Sequence, residues 1–179
     1  MRQFTSRHAA ILAGVLVLVA VFGFVGCADS PLDSGSQTGS HLLTRAPRAT
    51  GGASLSPVNL YTEQVISSKQ GGTLSLLDVT LTIPAGAVPN DTTFSIFIPD
   101  DQVFYNEFGT DGLVFKKPVS VTMSYRNANL SGVNEATIRL AWYNPSTGAY
   151  EDVPCTVDTV NKTVTAELQH FSAYGLISD

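Results

Sequence analysis

From Asn59 to Asp179, apolar side chains recur at every second position in short runs separated by turn-forming residues. Thr73-Leu74-Ser75-Leu76 alternates, and Val79, Leu81 and Ile83 are spaced by Thr80 and Thr82. Phe94, Ile96 and Ile98 form another set, and Val119, Val121, Met123 and Tyr125 a longer one. Ile138, Leu140 and Trp142 follow, then Val153, Cys155 and Val157, then Val164, Ala166 and Leu168. Successive strand side chains point to opposite faces, so each run offers one face to a core and one to water. Between the runs lie Gly71-Gly72, Pro84-Ala85-Gly86, Asn144–Gly148 and Asp158–Lys162, which are turn chemistry. Nothing after residue 58 sustains a 3.6-residue stripe. The pattern predicts an all-β, antiparallel two-sheet sandwich over residues 59–179.

The beginning of the chain follows another rule. Ala9 to Val25 holds no charged or strongly polar side chain, and Arg2 and Arg7 precede it. As a helix at about 1.5 Å per residue the run reaches roughly 25 Å, short of the ~30 Å hydrocarbon core of a bilayer. It ends in Phe24-Val25-Gly26-Cys27, which resembles the lipobox of bacterial lipoproteins, with Phe where those usually have Leu. The resemblance implies that residues 1–26 are a signal peptide and that Cys27 becomes the first residue of the mature chain. Fatty acyl groups such as palmitate on Cys27 would then form the contact with the membrane. Each buried methylene contributes roughly 0.8 kcal/mol, so two or three chains anchor a protein effectively permanently. Ala28, rather than Asp, follows the cysteine. For the family this implies the outer membrane in an organism that has two.

Residues 28–57 lose all periodicity, and 20 of these 30 are Ala, Gly, Ser, Thr or Pro. Such a composition predicts a spacer reaching roughly 30 Å if it behaves as a flexible coil, with Arg45 and Arg48 as solvated charges. The expected organisation is thus 1–26 signal peptide, 27–58 lipidated cysteine and linker, and 59–179 folded domain.

The full chain of 179 residues has 10 Lys+Arg and 15 Asp+Glu, a formal charge of −5. Setting aside Arg2 and Arg7 leaves eight basic residues and a charge of −7. That balance opposes nucleic-acid binding, which needs phosphate neutralised by basic side chains. Two cysteines exclude a disulfide-stapled scaffold. His170 is the only histidine beyond residue 60, so no multi-histidine metal set is available. No cofactor loop appears, and the expectation is no cofactor and no metal.

Within the domain, Gly71-Gly72-Thr73, Val79-Thr80-Leu81-Thr82-Ile83-Pro84-Ala85-Gly86-Ala87 and Phe115-Lys116-Lys117-Pro118-Val119 stand in a telling order. Trp142-Tyr143, Gly148-Ala149-Tyr150 and His170-Phe171-Ser172-Ala173-Tyr174 complete it. This succession resembles the ZU-five domain of ankyrins, zonula-occludens proteins and netrin receptors, over roughly residues 59–179. Tyr150 stands where the family often has Trp. The resemblance implies a β-sandwich working through protein–protein contact, as ankyrin copies contact spectrin. It implies a non-catalytic envelope protein with a protein partner.

Four features compete as sites. In some relatives a His-Phe-Ser triplet like His170-Phe171-Ser172 cuts itself: Ser172 Oγ, its proton taken by His170, would attack the Phe171 carbonyl in an N-to-O acyl shift, and water would then hydrolyse the ester. The alternation continued from Leu168 instead places His170 on the core face, as a structural histidine. Residues 99–112 alternate poorly and join Asp100, Asp101, Glu107 and Asp111 to Phe104, Tyr105 and Phe108. A long loop with aromatics is a recognition surface, unless the rings fold back over a sheet edge. Its acids match no calcium loop. Trp142, Tyr143 or Tyr150 could serve a carbohydrate-binding envelope module, a further alternative. Cys155 shares the apolar phase of Val153 and Val157 and reads as a buried small hydrophobe.

Overall fold

The computed structural model describes residues 40–46, 56–110 and 112–179. The apolar runs become strands packed in two antiparallel sheets. Strands β1 (His41–Leu42), β2 (Leu60–Ile66), β3 (Gly72–Leu76), β4 (Val79–Ile83), β5 (Thr92–Ile98) and β6 (Tyr105–Gly109) lead to the long β7 (Val114–Ser124). A 3-10 turn at Glu135–Thr137 precedes β8 (Arg139–Asn144), β9 (Ala149–Val153), β10 (Cys155–Asp158), β11 (Thr163–His170) and β12 (Ala173–Ser178). The larger sheet runs β2-β5-β6-β12-β8-β9, with β1 also paired to β12; the smaller runs β10-β11-β7-β4-β3.

The inward faces are the alternating positions. Leu81, Phe94, Ile96, Ile98, Val119 and Met123 are fully buried between the sheets, while Thr80 and Thr122 lie on the other face of the smaller sheet. Gly71 is needed at its turn: its φ is +70°, and a Cβ would lie 2.3 Å from the Ile83 carbonyl oxygen. The run Val153–Val157 is divided between sheets. Val153 ends β9, Pro154 lies outside any strand, and Cys155 begins β10 on the opposite layer. Cys155 is half-buried rather than enclosed, and its Sγ accepts the Leu140 N–H at 3.4 Å.

Three further expectations need correction. First, residues 40–46 belong to the sandwich and not to a spacer. Leu42 pairs with Ile177, and Leu43 N–H donates to the Leu176 carbonyl at 2.8 Å. Phe104 N–H donates in turn to the Leu43 carbonyl. The segment occupies the part of the β12 edge that β6 leaves when it diverges at Phe104. Leu42 and Leu43 enter opposite faces of the sheet, at 8% and 2% exposure. Gly175 makes room, since a Cβ there would meet Leu42 Cδ2 at 2.6 Å. Arg45 is not solvated: its side chain is 8% exposed and paired with Asp78, itself 6% exposed. Arg48 lies outside the described residues.

Second, residues 99–112 contain a central strand rather than a displayed loop. Phe104, Tyr105 and Phe108 are at most 3% exposed, so they are packing side chains and not a contact surface. Third, a register shift between Leu168 and His170 breaks the alternation, and His170 is exposed instead of facing the core.

Asn106 explains why the strand was hard to see. It occupies an inward position, fully buried, with its amide nitrogen 3.5 Å from Met123 Sδ and Oδ1 without a partner among the described residues. A buried acceptor left unpaired costs about 1–3 kcal/mol. Asn106→Leu, similar in volume, is expected to raise unfolding stability by about 1–2 kcal/mol in urea titrations. A loss would mean that Oδ1 has a partner of its own.

Candidate functional site

The bulge at the end of β11 builds a site where, among the described residues, several chemistry-bearing groups converge. Trp142 from β8, Glu151 and Asp152 from β9, Glu167 and His170 from β11, and Tyr174 from β12 line a cleft of about 220 Å³. His170 meets Trp142 edge-on, ring centres 6.0 Å apart, and its carbonyl accepts the Tyr174 hydroxyl at 3.0 Å. Burial pushes the Tyr174 phenol up to about 12, so it remains a hydrogen-bond donor at neutral pH.

The triplet divides among three environments. Phe171 is 1% exposed and packs against Phe94, Phe108 and Phe115. Ser172 Oγ accepts the Trp142 indole N–H at 3.0 Å, and the Ser172 carbonyl accepts the Phe108 N–H at 2.9 Å. His170 Nδ1 lies 3.4 Å from the Phe171 carbonyl oxygen. A base must reach the hydroxyl proton it removes. Here the imidazole meets the carbonyl, and the hydroxyl is engaged by the indole instead.

The carbohydrate candidates divide as well. Tyr143 and Tyr150 pair on the outer face of the larger sheet, ring centres 5.4 Å apart, beside Leu42, Tyr105 and Ile177. Trp142 turns to the inner side, packed against the main core. The three rings therefore form no single platform.

Of the acids of the 99–112 stretch, Glu107 is exposed on β6 with the Tyr105 hydroxyl 3.5 Å from its carboxylate, and two aspartates before it accept backbone N–H groups. Asp100 accepts the Gln102 N–H at 2.7 Å, and Asp101 accepts the Val58 N–H at 3.0 Å; Asp111 lies outside the described residues. Among the described residues, no three His, Cys, Asp or Glu side chains gather as a metal set.

Among the described residues, the ion pairs that the sequence did not announce include those of Arg45 and Arg139. Arg45 donates from Nε and Nη2 to the two Asp78 oxygens, both at 2.8 Å, and from Nη1 to the Val103 carbonyl. Its guanidinium carbon lies 4.3 Å from the Phe104 ring centre. Arg139 joins Asp152 at 2.8 Å, Asp179 at 3.0 Å and Ser40 Oγ at 2.8 Å. The Ser40 hydroxyl and then Arg139 hold the Asp179 side chain below the usual carboxylate range. Ser40 and Asp179 thus meet at one end of β12, and His170–Ser172 precedes its other end.

Among the described residues no helix is long and apolar enough to cross a membrane. Residues 9–25 and Cys27 lie outside them. No protein-family model matches the chain, and no curated protein matches it either.

Proposed function

We propose that this chain is a lipid-anchored protein of the bacterial cell envelope, presenting a ZU-five-like β-sandwich for contact with other proteins. The observation that carries the reading is the 17-residue apolar run Ala9–Val25 followed by Gly26-Cys27, with Ser40, the first described residue, 13 positions after the cysteine. A fully extended chain spans at most ~3.3–3.6 Å per residue, so an acylated Cys27 would hold Ser40 within about 45 Å of the headgroups. The strand β12 runs from Ala173 to Ser178, roughly 17 Å, so the end bearing His170–Ser172 would sit farther along the body than the attached end. In a bacterium with two membranes, the outer one is the proposed address.

Cys27→Ser is expected to lower the membrane-bound fraction by about tenfold or more in fractionated bacteria, because the acyl chains supply the attachment. Unfolding of the sandwich should be unchanged. An undiminished membrane fraction would assign attachment to the apolar run itself.

Self-cleavage between Phe171 and Ser172 is the competing reading, favoured by the nearness of the His170 ring to the Phe171 carbonyl. Against it stands the indole hydrogen bond on Ser172. Intact-mass measurement under denaturing conditions is expected to give one uncut C-terminus. Loss of the peptide Ser172–Asp179, prevented by Ser172→Ala, would establish cleavage instead.

A further inference from the structure

Strand β2 closes one side of the larger sheet, and β5 is its only ladder partner among the described residues. Every second residue of an edge strand turns its N–H and C=O outward, a template for another strand. The other three outermost strands are shorter: β3 and β9 have five residues and β10 has four. β9 also carries Glu151 and Asp152 side by side. β2 has seven residues in unbroken register, without Pro, Gly or Lys.

Its exposed side chains form a pattern. Tyr61 and Val65 are 58% and 64% exposed on one face, with exposed Glu63 between them. Val58 leads into the strand at 49%. Its approach is held by Val58 N–H on Asp101 Oδ1 and Asp101 N–H on the Val58 carbonyl, at 3.0 and 3.1 Å. Its far end is closed by the Ser67–Gly71 bridge. A strand fixed at both ends loses little entropy when a partner joins it.

A second copy is a poor occupant. Antiparallel pairing of β2 with itself that sets Tyr61 against Val65 also sets Glu63 against Glu63, and like charges directly opposite destabilise a ladder. The complement of Tyr61-x-Glu63-x-Val65 is a strand with a basic residue between two apolar ones.

We propose that β2 is a docking edge for an extended segment of another protein, added antiparallel, with apolar, basic and apolar residues at alternate positions. The proposal rests on the reading of the sandwich as a protein-contact module, and it is independent of the lipid anchor.

The test titrates the purified full chain, in detergent micelles, into a fluorescein-labelled peptide, Ser-Tyr-Thr-Lys-Thr-Val-Ser, and into its counterpart with Glu for Lys. Saturable binding is expected, with the Lys peptide favoured by about tenfold from exchanging a like for an opposite charge pair. Glu63→Lys should reverse that preference, and N-methylation of alternate peptide amides should abolish binding. Failure of both peptides to saturate, as when residues 47–55 cover the edge, would overturn the proposal. So would equal affinities, binding that survives N-methylation, or a dimer of this chain joined through β2. Each of these results removes β2 as the docking edge and leaves protein contact through another face of the sandwich standing, so the two failures are distinguishable.

Discussion

Phe171→Ala is expected to destabilise the sandwich by about 3–5 kcal/mol, the range for removing a fully enclosed phenylalanine. Its ring centre lies 4.7 Å from that of Phe115, 5.5 Å from Phe108 and 5.6 Å from Phe94, and it joins the two sheets at their shared end. Edge-to-face pairs of this kind add to what burial alone provides. A domain of this size is stable by only about 5–15 kcal/mol, so the substitution removes a large share. Ser172→Ala should cost about 1 kcal/mol, by losing the Trp142 hydrogen bond. His170→Ala, at an exposed position, should fall within about 0.5 kcal/mol. Urea unfolding of the three variants checks the order. A larger loss at His170 or Ser172 than at Phe171 would contradict the view that the middle residue of the triplet is the structural one.

Asp78→Ala and Arg45→Ala are each expected to cost about 3–5 kcal/mol, because removing one partner strands a buried charge. The guanidinium is largely enclosed by Asp78, the Val103 carbonyl and the Phe104 ring. Replacing both partners by apolar residues, Arg45→Met with Asp78→Leu, should recover much of the loss, since a buried pair and a packed apolar pair are of similar net worth. The same contact makes residues 40–46 part of the stable unit. A chain beginning at Asn59 loses Arg45 together with Leu42 and Leu43, so it should unfold at lower urea than one beginning at Ser40. Equal midpoints would show that the segment adds nothing.

These residues also show where the sequence was informative. The β4, β5 and β7 runs were legible because buried apolar residues alternate with mostly polar ones, many of them Ser or Thr, the form taken by a strand with one side in a core. β6 was hidden because it breaks that form on both faces: Asn106 points inward, and Tyr105 points outward beneath Leu42 and Tyr150. The segment 40–46 was hidden because its composition matches a spacer. Its two adjacent leucines serve opposite faces, which no short alternation announces. The position of His170 failed for a third reason, since a bulge changes strand phase without any Gly or Pro to mark it. At the cleft, the triplet was visible as a string, but the Trp142–Ser172 hydrogen bond joins residues 30 apart and depends on the β8–β12 register.

The anchor decides where all of this operates. Its most direct test is the mass of the N-terminal peptide from protein extracted out of bacterial membranes. The expected result is a chain that begins at Cys27 and carries fatty acyl groups on that residue. A mature protein beginning elsewhere, or with an unmodified thiol at Cys27, would contradict it.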